Sequence, residues 1–154
     1  MSIEKRLAGL GIVLPAPRAP AFSYVPVAVH GDLAWVSGQL PWRGDGSLPL
    51  GKLGGGLSVA EGKEAARLCI LNGLAVLREA IGSLDRVARV VKLVGFVASA
   101  QGFVEQPAVV DGASSLVGEV FGEAGRHARS AIGVAELPRG VPVEIEFVVA
   151  VAPR

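Results

Sequence analysis

The chain has 154 residues, 51% of them hydrophobic and 19% charged, with a formal net charge of +1 at neutral pH. That length suits one domain with a substantial core, and so apolar a composition excludes an intrinsically disordered chain. Nucleic acid is an unlikely partner on charge grounds, because the densest basic cluster, Arg126-His127-Ala128-Arg129, is short and has no aromatic residue beside it.

The single cysteine, Cys69, excludes an internal disulfide and fits a reducing, cytoplasmic location. Met1-Ser2-Ile3-Glu4-Lys5-Arg6 lacks the apolar stretch of a secretory signal. No apolar run reaches the roughly 18 residues that would span a bilayer, so no membrane association is expected. Aromatic residues are few, with five Phe, two Trp and one Tyr, yet Val, Ala, Leu and Ile are abundant. On a small domain that balance points to extra buried surface, most simply an interface between subunits.

Residues 1–22 read as an N-terminal arm. Ser2–Gly9 is suited to a short helix or a frayed arm, whereas Pro15, Pro17 and Pro20 keep Val13–Ala21 extended and irregular. Ser23–Val29 and Leu33–Leu40 have strand character and flank Gly31-Asp32, the pattern of a hairpin. Pro41–Gly56 is glycine-rich and reads as a loop, with a short extended piece near Leu48–Leu53. Ser58 and Glu61 fit a capping box, and Ala66, Ile70, Leu74, Leu77 and Ile81 follow at helical spacing up to a terminating Gly82. Val87–Ala98 is a long strand. A shorter helix is expected over Asp111–Phe121, capped by Asp111 and ended by Gly122 and Gly125. Two strands, Arg129–Glu136 and Val143–Val151, close the chain around a turn at Pro138-Arg139-Gly140.

The order ββαβαββ defines an α+β domain spanning 1–154, one mixed sheet with two helices packed on one face. Val143, Ile145, Phe147, Val149 and Val151 form an unbroken apolar face on the last strand, and Glu144 and Glu146 lie on the other. On the preceding strand, Arg129 shares a face with Ala131, Gly133 and Ala135. Three small side chains beyond an arginine leave room for a ligand, and guanidinium binds a carboxylate through two parallel hydrogen bonds. Arg129 and Glu144 are therefore the candidate catalytic pair. An ion pair across a subunit interface is the alternative for each: it accounts for Glu144 equally well, whereas the small side chains beside Arg129 favour the ligand role. His30 and His127 have no metal-ligand spacing with each other or with Cys69, so no metal site is expected. Gly54-Gly55-Gly56 lacks the Lys-Ser/Thr ending of a phosphate loop.

Leu33-Ala34-Trp35-Val36-Ser37-Gly38-Gln39-Leu40-Pro41, Asp85-Arg86-Val87 with Val90-Val91-Lys92, and Arg129-Ser130 through Leu137-Pro138 to Val143-Glu144-Ile145-Glu146 together resemble the RidA/YjgF family, the reactive-intermediate deaminases. The resemblance covers about Tyr24 to Val151, and longer stretches at Gly46–Gly56 and Gly102–Val110 mark a divergent subgroup. It implies a chorismate-mutase-like fold, a homotrimer with clefts between subunits, and hydrolysis of enamine or imine intermediates such as 2-aminoacrylate to a keto acid and ammonia, without metal or organic cofactor. It implies that Arg129 holds the substrate carboxylate and Glu144 acts on water. Tyr24, Ser37, Gly38 and Ala131 would line the cleft, with Asp111 near it. Two positions depart from the family pattern: Ala131 stands where many members carry cysteine, and Asp111 near a position that is often asparagine. Family members described as endoribonucleases or translation inhibitors make RNA-directed activity an alternative, and a non-catalytic trimer that binds a small carboxylate is another.

Overall fold

The computed structural model describes residues 1–153. Its elements are α1 (Ile3–Gly9), β1 (Val27–His30), β2 (Leu33–Gln39), β3 (Lys52–Leu53), β4 (Gly56–Leu57), α2 (Val59–Ile81), β5 (Val87–Ala98), α3 (Gln106–Phe121), β6 (Ala128–Val134) and β7 (Val143–Val151). Five strands form one mixed sheet in the order β1-β2-β7-β5-β6, and β3 and β4 make a small parallel pair beside it.

Local chemistry explains most of these elements. The β1–β2 turn closes on two residues because Gly31 adopts φ 61°, a conformation that L side chains resist. At α2 the Ser58 side chain accepts from the Glu61 backbone N–H while the Glu61 carboxylate accepts from that of Ser58. Both orphan donors of the first turn are thus satisfied. Gly82 ends the helix with φ 88°.

The core lies between the helices and one face of the sheet. Ile70, Leu74 and Leu77 of α2, Val109, Val110 and Leu116 of α3, Leu93 and Val97 of β5, and Ile145 and Val149 of β7 are all at most 1% exposed. The apolar face of β7 lies under the helices as its alternation requires. The opposite face carries Trp35, Lys92, Val94, Glu146 and Val148. Trp35 is 54% exposed there, and Ile132 on β6 is 43% exposed.

Several expectations are corrected. The 2–9 segment takes the helical one of its two readings, a short helix or a frayed arm, and as α1 packs near α3 and the turn before β5, giving three α-helices among the described residues. The first strand begins at Val27, so Tyr24 precedes it in an irregular segment. The helix expected from Asp111 starts at Gln106, with Pro107 in its first turn, where a missing N–H costs nothing. Asp111 is therefore inside the helix and caps nothing. The last two strands, β6 and β7, are not neighbours: β5 lies between them, parallel to β6 and antiparallel to β7.

Candidate functional site

β5 decides which way the candidate side chains point. Residues opposed across paired strands share a face. Arg129 is registered against Leu93, and Glu144 against Phe96. Leu93 and Phe96 are three apart on one strand and so point to opposite faces. Arg129 thus lies on the helix-covered side at the β6 edge, and Glu144 on the open side. Within one chain they line two separate walls.

The first wall is built by α3 and β6. The Arg129 guanidinium donates to the Pro107 carbonyl at 3.2 Å and the Ser114 hydroxyl at 3.3 Å, and lies 3.7 Å from an Asp111 carboxylate oxygen. Positions 107, 111 and 114 share one stripe of a helix, so α3 presents three acceptors to one arginine. Ser114 is held in turn. The Gly125 carbonyl can only accept, so His127 donates to it from Nδ1 at 2.6 Å. Its Nε2 lies 3.0 Å from the Ser114 hydroxyl oxygen. The Ser114 oxygen stays free to accept from Arg129. Ala131 and Gly133 continue the wall opposite Gly95 and Val97. A Cβ at Gly133 would sit 2.7 Å from the Gln106 amide nitrogen, which occupies the space beside it.

The second wall is built around an irregularity in β2. Val36 pairs with Phe147 but Gln39 with Ile145, three steps on β2 against two on β7. Ser37 and Gly38 therefore sit in a β-bulge, a device that re-aims a strand end. A Cβ at Gly38 would lie 3.0 Å from the Glu144 carboxyl carbon, so any larger residue there would push the Glu144 side chain aside. Ser37 spends both donors inward: its hydroxyl donates to Val25 at 2.7 Å and its N–H to Pro26 at 2.9 Å. It tethers the segment that carries Tyr24, whose ring is 51% exposed. Tyr24 and Gly38 line one cleft, with Pro26 and Gln39 between them.

Glu144 is half-buried and, among the described residues, has no hydrogen-bond or ion-pair partner. Burial raises its pKa from the ordinary glutamate value, and the neighbouring Glu146 charge raises it further. The folded chain therefore holds this proton more tightly than the unfolded one, and stability falls as pH rises from the ordinary value through the raised one. Glu144→Gln keeps the shape and removes the charge. Thermal melts should show the variant more stable than the parent at neutral pH, with the gap closing on acidification below about pH 4. A variant less stable at neutral pH would contradict that sign.

The sequence reading placed Arg129, Glu144, Ala131, Asp111, Tyr24, Ser37 and Gly38 in one cleft. The fold divides them between two walls. It adds Ser114 and His127 beside Arg129, and Gln106 beside Gly133 farther along the same wall. His127 shares strand parity with Arg129, a legible signal, but nothing local ties Ser114 to it.

The family model described as "YjgF/chorismate_mutase-like, putative endoribonuclease" matches residues 4–141. Protein TCP17 of Trypanosoma cruzi is 49% identical over 96% of this chain and 92% of its own length. The protein Atu1372 of Agrobacterium tumefaciens, whose structure is described as of unknown function, is 46% identical, with a TM-score of 0.87 over 97% of this chain and 93% of its own. A structure from Shewanella oneidensis, described as a "putative endoribonuclease", is 35% identical with a TM-score of 0.93, covering 98% of this chain and 100% of its own. Matched along nearly its whole length and in its ββαβαββ sheet and helices, the chain belongs to the YjgF/chorismate-mutase-like family.

Proposed function

We propose that the protein hydrolyses enamine and imine forms of small 2-imino acids to the keto acid and ammonia, in clefts each completed by a second copy within a homotrimer. One observation carries this reading: Arg129 and Glu144 lie on opposite faces of one sheet, so a single chain cannot bring both to one small molecule. The open face, with Trp35, Val94, Val148 and Ile132, supports burial against another copy.

In this reading Arg129 takes the substrate carboxylate, displacing the loose 3.7 Å contact with Asp111, while Pro107 and Ser114 keep the guanidinium aimed. Glu144, with its raised pKa, holds a proton further toward neutrality than an ordinary glutamate and so serves as acid and base in turn. It protonates the enamine carbon to give the imine, then orients water at C2. As the water oxygen bonds to C2 the C=N π bond opens, and the carboxylate of Glu144 takes the water proton and passes it to nitrogen; the remaining hydroxyl proton then moves to nitrogen by the same route, the C–N bond breaks, and ammonia leaves C2 as a carbonyl. None of these steps uses a thiol, so Ala131 is compatible with them.

The test is ammonia release from enzymatically generated 2-aminoacrylate and 2-iminobutyrate. Acceleration over the spontaneous rate is expected. A well-folded protein giving none would overturn the reading for these substrates and favour the non-catalytic carboxylate binder.

A further inference from the structure

The Tyr24–Gly38 cleft contains two arginines that the proposed reaction does not use. Arg18, from the proline-rich arm, stacks over the Trp42 indole at 3.9 Å from the ring centroid. Arg139, from the turn between β6 and β7, approaches the same ring at 5.3 Å. Both line the cleft of about 210 Å³ that also holds Tyr24, Gly38 and Gln39. Among the described residues, neither guanidinium has a carboxylate or hydrogen-bonding partner, whereas Lys52, Arg78, Arg126 and Arg129 each have a carboxylate within 4 Å. Two like charges gathered beside one indole repel each other, and an anion in the cleft they both line would relieve that repulsion.

Arg139 carries a second mark. It is the one non-glycine residue among those described with positive φ, at 59°. Such conformations are costly for a side chain with a Cβ and cluster at ligand clamps. Gly140 follows with φ 75°, so the turn holds two consecutive left-handed residues and only the second is a glycine. The arm that holds Arg18 is stiffened by Pro15, Pro17 and Pro20, which lowers the entropy lost when its side chain engages a ligand.

We propose that Arg18 and Arg139, braced on Trp42, form a second anion subsite, so that the preferred substrate is a 2-imino acid with a further carboxylate at its far end. The proposal rests on the imine-hydrolase reading. Glu144 abuts Gly38 on the same wall, so the subsite lies on the Glu144 side of the cleft and the α-carboxylate of the substrate goes to Arg129. Guanidinium pairs suit carboxylate in planar, bidentate fashion.

Two measurements test this and separate its failure from that of the reaction. The first compares the imines generated from D-aspartate and D-2-aminobutyrate by amino-acid oxidases, in the wild type and in the Arg18→Ala/Arg139→Ala double variant. The ratio of kcat/KM for the dicarboxylic over the monocarboxylic imine should fall about tenfold in the double variant, roughly the loss of one charge-assisted contact. The second measures direct binding of succinate and of butyrate by calorimetry, with no turnover required. Succinate should bind at least about tenfold tighter than butyrate to the wild type, an advantage lost in the double variant. An unchanged ratio, or equal binding of the two acids by the wild type, overturns the subsite. If no imine is hydrolysed but succinate binding still depends on the two arginines, the subsite stands and the reaction falls. Arg139→Gly relieves the backbone strain while removing the charge, so a binding loss in that variant assigns the effect to the guanidinium rather than to misfolding of the turn.

Discussion

Arg129→Ala lowers kcat/KM for 2-aminoacrylate by about 100-fold, the loss of a bidentate charge-assisted contact of roughly 3 kcal/mol. The effect falls on substrate binding and on the transition state together, because the carboxylate does not change during the reaction. KM should therefore rise while kcat falls less. Arg129→Lys recovers only part of the loss, since an ammonium cannot reproduce the planar fork that Pro107 and Ser114 aim. Stability changes little by comparison. The three acceptors left behind lie on the rim of α3, where water can satisfy them. Steady-state ammonia release alongside thermal melts separates the two effects, and an alanine variant with unchanged KM would remove Arg129 from the site.

The second large effect is on folding. Gly112→Ala destabilises the protein by about 3 kcal/mol, at the upper end of what overpacking a tight contact costs. A Cβ at Gly112 would collide with the backbone of Lys63, including its carbonyl oxygen, so no side-chain rotation can relieve it. Alanine's better helix propensity, worth about 1 kcal/mol, does not offset the clash. Gly118, in the same helix, has nothing within 4 Å of where its Cβ would be. Gly118→Ala should be neutral or stabilising by roughly 0.5–1 kcal/mol. Urea denaturation of the two variants reads the difference. Equal midpoints would mean that α2 and α3 are not packed as closely as described. Because α3 carries the groups that aim Arg129, Gly112→Ala should also weaken substrate binding.

Features set by short-range chemistry were readable from the chain. Ser58 with Glu61 announced α2, Gly31 announced the hairpin, and the alternation in β7 announced a face buried under helices. The start of α3 was missed because Pro107 reads as a breaker until it is placed in the first helical turn, where its missing N–H is harmless. With that start misplaced, Asp111 read as a cap rather than as a residue facing Arg129.

The arrangement of the candidate site was legible only in part. Strand parity grouped Arg129 with Ala131 and Gly133, and Glu144 with Glu146. The apolar alternation of β7 already turned Glu144 away from the helices, but parity could not say which side Arg129 faced, because that depends on β5 inserting between β6 and β7, a long-range pairing with no local signal. The Ser37-Gly38 bulge was hidden for the same reason: an extra residue in β2 is visible only against its partner strand. Strand parity and side-chain chemistry put Arg129 and Glu144 forward as candidates, and the family motif supplied the reaction in which they take part. Arg18, Trp42 and Arg139 are far apart in sequence and meet only through the fold.

The central claim is that each cleft draws Arg129 from one copy and Glu144 from another. Mixing tests it directly. Arg129→Ala and Glu144→Gln proteins, each assayed alone at substrate well below KM where both are strongly impaired, are unfolded together in equal amounts, refolded so that subunits exchange, and assayed for ammonia release under the same conditions. Random assembly should restore about a quarter of the clefts to an intact Arg129–Glu144 pair and recover a matching share of wild-type activity. A co-refolded mixture that forms mixed assemblies yet stays as inactive as its two components would contradict the shared cleft.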